Sequence, residues 1–181
     1  MFLYMQTEEL QIVRNYSPEE LKKSALVVYS RSSKYSMSFD EVKFLFDEWS
    51  NYHQLTHPIY DDEGNEFWDS EWYYMAARTK NKNIKSIISF LSLWFWMARK
   101  SRYMFPLDLD PKNKISYMRE AIRKKFDANP DLRKKLLQTW DLSIIEYTYW
   151  GDDFFGVDQK TMRWANILGK LLMEYRDSCI E

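Results

Sequence analysis

Two acidic sites stand apart from the other carboxylates of the chain. Glu71 lies among Trp68, Trp72, Tyr73 and Tyr74. Asp152 and Asp153 lie within Tyr149-Trp150-Gly151-Asp152-Asp153-Phe154-Phe155-Gly156. A carboxyl surrounded by rings loses water, which favours its protonated form and suits a general acid. One that stays ionised can stabilise an oxocarbenium-like centre or activate water. The same residues could also serve as a helix cap and a surface acid among core aromatics, and residue type alone leaves both readings open.

Other chemistries have weaker support. His53 and His57 share one segment that ends at Pro58, with no third histidine and no thiolate nearby, so neither a zinc site nor a Ser-His-Asp triad is expected. Asp61-Asp62-Glu63 lacks the alternating oxygen ligands of a calcium loop and reads as a solvated turn. No Gly-rich phosphate loop and no G-x-S-x-G elbow occurs. Cys179 is the only cysteine. That excludes an intrachain disulfide and agrees with a reducing cytoplasm. No metal and no cofactor is expected.

The chain must bury these acids in a folded body. With 181 residues, 45% of them hydrophobic and 29% charged, it suits one globular domain. A net charge of -1 argues against a general nucleic-acid or membrane-surface field. The basic clusters Arg119-Arg123-Lys124-Lys125 and Arg133-Lys134-Lys135 read as solvated helix faces. Aromatic residues reach 18%, enough to build a core and to line a pocket for a flat heterocycle. The most apolar stretch, Ile87 to Ala98, is too short to span a bilayer, which needs about 20 apolar residues, and reads as a buried helix.

Local patterns divide the chain into elements. Ser17-Pro18-Glu19-Glu20 predicts a helix start, with the helix running through Leu21 and Leu26. Residues 42–46 could be a strand or part of a helix. Pro58 to Trp68 reads as a small β-hairpin turning at Asp61 to Asn65. Asp69 or Ser70 caps a helix through Arg78. Ile84 to Ala98, Pro111 to Asp127 and a last segment from Met162 to Tyr175 have helical apolar spacing. Pro130 restarts the chain into Leu132, Leu136 and Leu137. Residues 144–148 suit a short strand. The fold class is mainly α, or α+β with one or two small β pieces.

Several of these segments together resemble the NADAR (YbiA-like) family. Trp49-Ser50-Asn51-Tyr52, then Pro58-Ile59 and Gly64, resembles its opening. Ser70-Glu71-Trp72-Tyr73-Tyr74-Met75-Ala76-Ala77-Arg78 resembles the family's S-E-H-Y-Y-Q-A-Q-K helix. Met118 to Phe126 is similar to M-x-x-A-L-x-x-K-F, and Leu136-Leu137-Gln138-Thr139 to L-L-x-T. Ile145-Glu146 followed by Asp152-Asp153-Phe154-Phe155-Gly156 resembles L-x-E…D-x-x-W-G. Asn166 to Arg176 matches N-x-L-G-x-x-L-M-x-x-R. The resemblance covers residues 42–178. It implies a single compact YbiA-like domain over residues 42–181, preceded by a partly helical extension, residues 1–41, packed on it.

Members of that family split N-glycosidic bonds, of ribosylamine intermediates in riboflavin synthesis and of ADP-ribose on guanine. The resemblance therefore implies a cytoplasmic hydrolase acting on a small nucleotide-like substrate, an ADP-ribose or ribosyl phosphate compound. Nucleic acid enters only as the carrier of a modified base. It makes Glu71 the leading catalytic residue, with Asp152 at the family's Asp position and Asp153 beside it. Asn51, Trp72, Tyr74, Arg78, Asn166, Gly169 and Arg176 are the substrate-binding candidates, and Lys43 the candidate for a lysine route through a ring-opened ribose imine. The departures are Trp72 for the family's His, Arg78 for its Lys, Asp110 for a Trp, Phe155 for the Trp before Gly156, and Ala165 for the Gly before Asn166. Trp94 or Trp96 could replace the lost Trp wall. Two other readings remain: a non-catalytic ADP-ribose or NAD-binding module, and a helical interaction protein without a small-molecule site.

Overall fold

The computed structural model describes residues 51, 53–93, 103–139, 143–148, 151–158, 161 and 165–180, together with the backbone of 25–28. The expected helix start at Ser17, Lys43 and the 42–46 segment, Trp49-Ser50, Trp94, Trp96 and Met162 lie outside these residues.

Five helices with defined bounds occur among the described residues: α1 (Ser70–Ala77), α2 (Lys82–Ser92), α3 (Pro111–Ala128), α4 (Pro130–Leu137) and α5 (Ile167–Ser178). The strands are β1 (Ala25–Val28), β2 (Ile59–Tyr60), β3 (Glu66–Phe67), β4 (Ser143–Thr148) and β5 (Val157–Asp158). The mainly α class with small β pieces is what the structure has. The hairpin is present as β2 and β3, antiparallel through Ile59 and Phe67. Its turn uses the Asp61 carboxylate, which accepts from the amides of Glu63 and Asn65, and Gly64 at φ +82°, a conformation that costs glycine little.

The second sheet was not expected. β4 is its centre, flanked by β1 and β5, and both neighbours run parallel to it. The expectation of a helix through Leu26 is corrected: Leu26 pairs with Ile144 in this sheet. Ala-Leu-Val-Val is rich in β-branched residues that fit a pleated surface, and pairing with β4 outweighs the helix-start signal upstream.

The core forms where α3 packs against α1 and against α5, with β4 against α5. Phe67, Trp72, Ile88, Met118, Ile122, Phe126, Leu136, Ile144 and Leu168 are fully enclosed. Each such side chain contributes roughly 1.5–3 kcal/mol of burial. Two expectations about burial change. The stretch from Ile87 reads as a buried helix, yet within α2 only Ile88 and Ser92 are buried, and Ile87, Phe90 and Leu93 are exposed. Lys125, grouped with the solvated cations, is 1% exposed. It follows Phe126's neighbours Ala121 and Ile122 onto the buried face of α3 at helical spacing. Arg119 and Arg123 are indeed paired at the surface, with Glu174 and Asp127.

Candidate active site

Helix α1 carries the main wall of a cavity. Its N-cap is Asp69, whose carboxylate accepts from the Trp72 amide at 2.8 Å. The start is further fixed by Asn51: its carbonyl accepts from the Glu71 amide and from the Ser70 hydroxyl. Glu71, Tyr74, Met75 and Arg78 then follow at i, i+3, i+4 and i+7, which places them on one helix face. All four line a cavity of about 530 Å³, within the range that holds small organic ligands.

The opposite wall comes from three other elements. α3 supplies Lys114 and Met118, one turn apart, and β4 supplies Glu146. The loop between β4 and β5 supplies Gly151, Asp152, Asp153, Phe154 and Phe155. That loop turns through Gly151 at φ +83°. Asp152 is held within it, its Oδ1 accepting from the amides of Phe154 at 3.1 Å and Phe155 at 2.9 Å. Gly156 closes the loop against β4, since a Cβ there would lie 2.6 Å from Thr148 Cγ2 and 2.8 Å from the Glu146 carbonyl oxygen.

The cavity therefore gathers Asn51, Glu71, Tyr74, Arg78, Asp152 and Asp153 from the sequence candidates. Asn51 Nδ2 donates to Glu71 Oε2 at 3.4 Å, which orients that carboxylate from behind. Burial raises the Tyr74 hydroxyl pKa, with Glu71 and Asp152 adding to the rise and Arg78 opposing it. Tyr74 thus stays a neutral hydrogen-bonding group among the site charges.

Four candidates sit elsewhere. Trp72 is enclosed in the core, and its Nε1 has no hydrogen-bond partner among the described residues. Asn166 adopts the left-handed conformation, φ 48° and ψ 39°, at the N-cap of α5. Its amide side chain accepts from Glu146 N and donates to Ile144 O, bridging to β4 as a neighbouring strand would. Gly169 packs directly on β4, where a Cβ would collide with the Ile144 carbonyl oxygen. Arg176 is buried at the far end of α5, donating to Thr139 and Asp177. These residues hold α5 in place. The first amides of α5 in turn donate to the carboxylate loop, Ile167 to Phe154 O and Leu168 to Phe155 O. Asp110, where the resemblance expects Trp, caps α3 through the Lys112 amide.

Lys114 and Glu146 are cavity residues that the site candidates left out. A signal for Lys114 was present. The apolar stripe Met118, Ile122 and Phe126, carried one turn toward the helix start, reaches position 114.

The NADAR domain sequence model matches residues 33–179. This chain belongs to the NADAR domain family. It is similar to the N-glycosidase YbiA of Shigella flexneri serotype 5b (strain 8401), with 33% identity over 138 residues, covering 73% of this chain and 81% of that protein. It is similar to the N-glycosidase R617 of Acanthamoeba polyphaga mimivirus, 32% identical over 91 residues, covering 45% of this chain and 53% of that one. The NMR structure of the Escherichia coli protein YbiA superposes with a TM-score of 0.65 at 28% identity, covering 87% of this chain and 86% of that chain. NADAR membership agrees with the resemblance drawn from the motifs. Among the described residues no helix is long and apolar enough to cross a membrane.

Asp69 gives the NADAR helix a pH-sensitive start. Burial pushes its carboxyl up to about 7; the Trp72 amide and Lys125 oppose the rise, and Glu71 adds to it. Its pKa is thus higher folded than unfolded. The stability it contributes is full below the unfolded value and is lost as pH climbs through about 7. Asp69→Asn keeps a capping oxygen but cannot ionise. Between pH 5 and 8, urea unfolding of the wild type should lose roughly 2–3 kcal/mol more than that of the variant. Equal losses would show that Asp69 ionises normally in the fold.

Proposed function

We propose that this cavity hydrolyses the N-glycosidic bond of a ribosyl or ADP-ribosyl compound. The coarser statement rests on the relatives: with matches named N-glycosidase over 73% of its length, the chain is an N-glycosidase. The finer reading is carried by one observation, that Glu71 and Asp152 come from distant parts of the sequence to line the same cavity. In this reading Glu71 passes a proton to the leaving nitrogen as the C1′–N bond breaks. Asp152 stabilises the cationic sugar, and water adds to C1′, losing a proton to the enzyme. Asp153, more exposed on the same loop, borders the mouth. Tyr74 and Phe155 meet edge to face at 5.6 Å between ring centres and offer an apolar wall for the base or sugar. Asn51 positions Glu71. Asn166, Gly169 and Arg176 hold α5, whose first amides hold the Asp152 loop, and Trp72 supports α1 from the core.

The test is product analysis. The purified protein is incubated with NAD, ADP-ribosylated guanosine and a ribosylaminopyrimidine phosphate. Chromatography and mass spectrometry then follow the released base and the sugar product. Release by the wild type, abolished in the variant carrying both Glu71→Gln and Asp152→Asn, supports the mechanism. Full turnover in that double variant would end it.

A further inference from the structure

The turn that leads into α3 is pinned from several sides. Leu107 is buried in the core. The Asp108 amide donates to the Arg78 carbonyl oxygen at 2.8 Å, and Arg78 Nε donates back to the Asp108 carbonyl oxygen at 2.9 Å. The Asp108 carboxylate accepts from the Asp110 amide, from Asn113 Nδ2 and from the Tyr117 hydroxyl, and the Arg78 charge attracts it as well. Asp110 then caps α3. These bonds tie the end of α1 to the first turns of α3. They leave little backbone freedom to the residue between the two aspartates, Leu109.

Leu109 is 68% exposed, yet it lines the cavity. A single exposed leucine on a protein surface needs no explanation. One held rigidly at the mouth of a substrate cavity offers apolar area that a ligand can cover, and the turn is already ordered before the ligand arrives. Phe154 stands at the same end. It is partly exposed, it lines the cavity, and Lys114 Nζ, from near the start of α3, lies 4.6 Å from its ring centre. A branched aliphatic side chain and an aromatic ring together suit a flat ring.

This end of the cavity is remote from the reacting atoms. Glu71 and Arg78 are seven residues apart on α1, which is about 10 Å at the helical rise. Leu109 follows the residue clamped to Arg78. A group that covers Leu109 therefore belongs to a part of the substrate that does not react.

We infer that Leu109 is a specificity-determining residue, forming with Phe154 an apolar lip that grips a flat ring at the non-reacting end of the substrate. This deepens the glycosidase reading and rests on it. A ribosyl compound that carries a second ring, away from the bond that breaks, reaches the lip. One that ends at its sugar phosphate falls short of it. Binding free energy gained at the lip helps to seat the ribose between Glu71 and Asp152.

The probes are ADP-ribose, which carries a second ring, and ribose 5-phosphate, which does not. Both are titrated calorimetrically into the wild type, Leu109→Ala and Leu109→Met. Leu109 is exposed, so the variants should melt within about two degrees of the wild type. The wild type is expected to bind ADP-ribose at least about tenfold more tightly than ribose 5-phosphate. Leu109→Ala should weaken ADP-ribose binding by about tenfold and change that of ribose 5-phosphate by less than about twofold. Leu109→Met, which keeps the apolar volume, should restore most of the preference. Equal affinity of the wild type for the two probes overturns the lip. So does a Leu109→Ala variant that keeps the full preference, or a wild type that fails to bind ADP-ribose at millimolar concentration. The two readings separate. Base release with a preference independent of Leu109 keeps the glycosidase and removes the lip. Leu109-dependent binding of ADP-ribose without any base release keeps the lip and removes the glycosidase.

Discussion

Glu71→Gln should lower kcat on an N-glycosyl substrate by about two to four orders of magnitude, the range for loss of a general acid or base. KM should stay within a few-fold. The substitution preserves shape and an oxygen that can accept from Asn51, which donates to Glu71 at 3.4 Å in the native site. It removes an acidic group from the first turn of α1, where such a group is worth at most about 0.3–1 kcal/mol. That loss is too small to unfold the protein, so inactivity cannot be put down to denaturation. Steady-state kinetics beside a urea melt will separate the two. A variant that keeps more than a tenth of the wild-type kcat would remove Glu71 from the chemistry.

Gly169→Ala should cost about 3 kcal/mol or more. Overpacking a side-chain core usually costs about 1–3 kcal/mol because neighbours can shift. Here the added carbon meets the Ile144 carbonyl oxygen of the central strand, and it also lies 2.6 and 2.7 Å from the two terminal atoms of Asn166. The strand cannot retreat without disturbing β1 and β5, and moving Asn166 breaks its bonds to Glu146 N and Ile144 O. The melting temperature should fall by roughly 6–12 °C for a domain of this size. Gly64→Ala is the control. Gly64 has φ +82° but open space around it, so the cost there is the backbone term alone, roughly 1–2 kcal/mol. A Gly169→Ala melt within two degrees of wild type would mean that α5 can lift from β4.

The sequence displayed local features more clearly than long-range ones. The hairpin turn, a helix capped by Asp69 or Ser70 and the strand at 144–148 follow from residue types a few positions apart, and the structure has them, with Asp69 as the cap. The parallel sheet depends on pairing Leu26 with Ile144, and no local pattern reports a partner more than a hundred positions away. The exposed face of α2 has the same cause. Periodicity identifies a helix, while burial depends on what packs against it. At the site, the motif around Glu71 and the Asp152 loop pointed to residues that do line one cavity. The motif from Asn166 to Arg176 marked residues with strict requirements, but a motif does not distinguish contact with a ligand from contact with a strand. Asn166, Gly169 and Arg176 meet those requirements inside the protein. Lys114 was passed over, although the α3 stripe carried back one turn reaches its position, because a lysine in a charged first turn looks solvated until the opposing wall is known.

The seam between α5 and the carboxylate loop also sets a clock. The leading amides of a helix normally lack intrahelical acceptors and exchange hydrogen with solvent quickly. In this protein Ala165, Asn166, Ile167 and Leu168 each donate to a loop carbonyl, those of Asp153, Gly156, Phe154 and Phe155. Their deuterium uptake should be slow, and it should quicken together whenever the loop unseats. Four backbone signals near the end of the chain would then report how long Asp152 stays in position, with no substrate present.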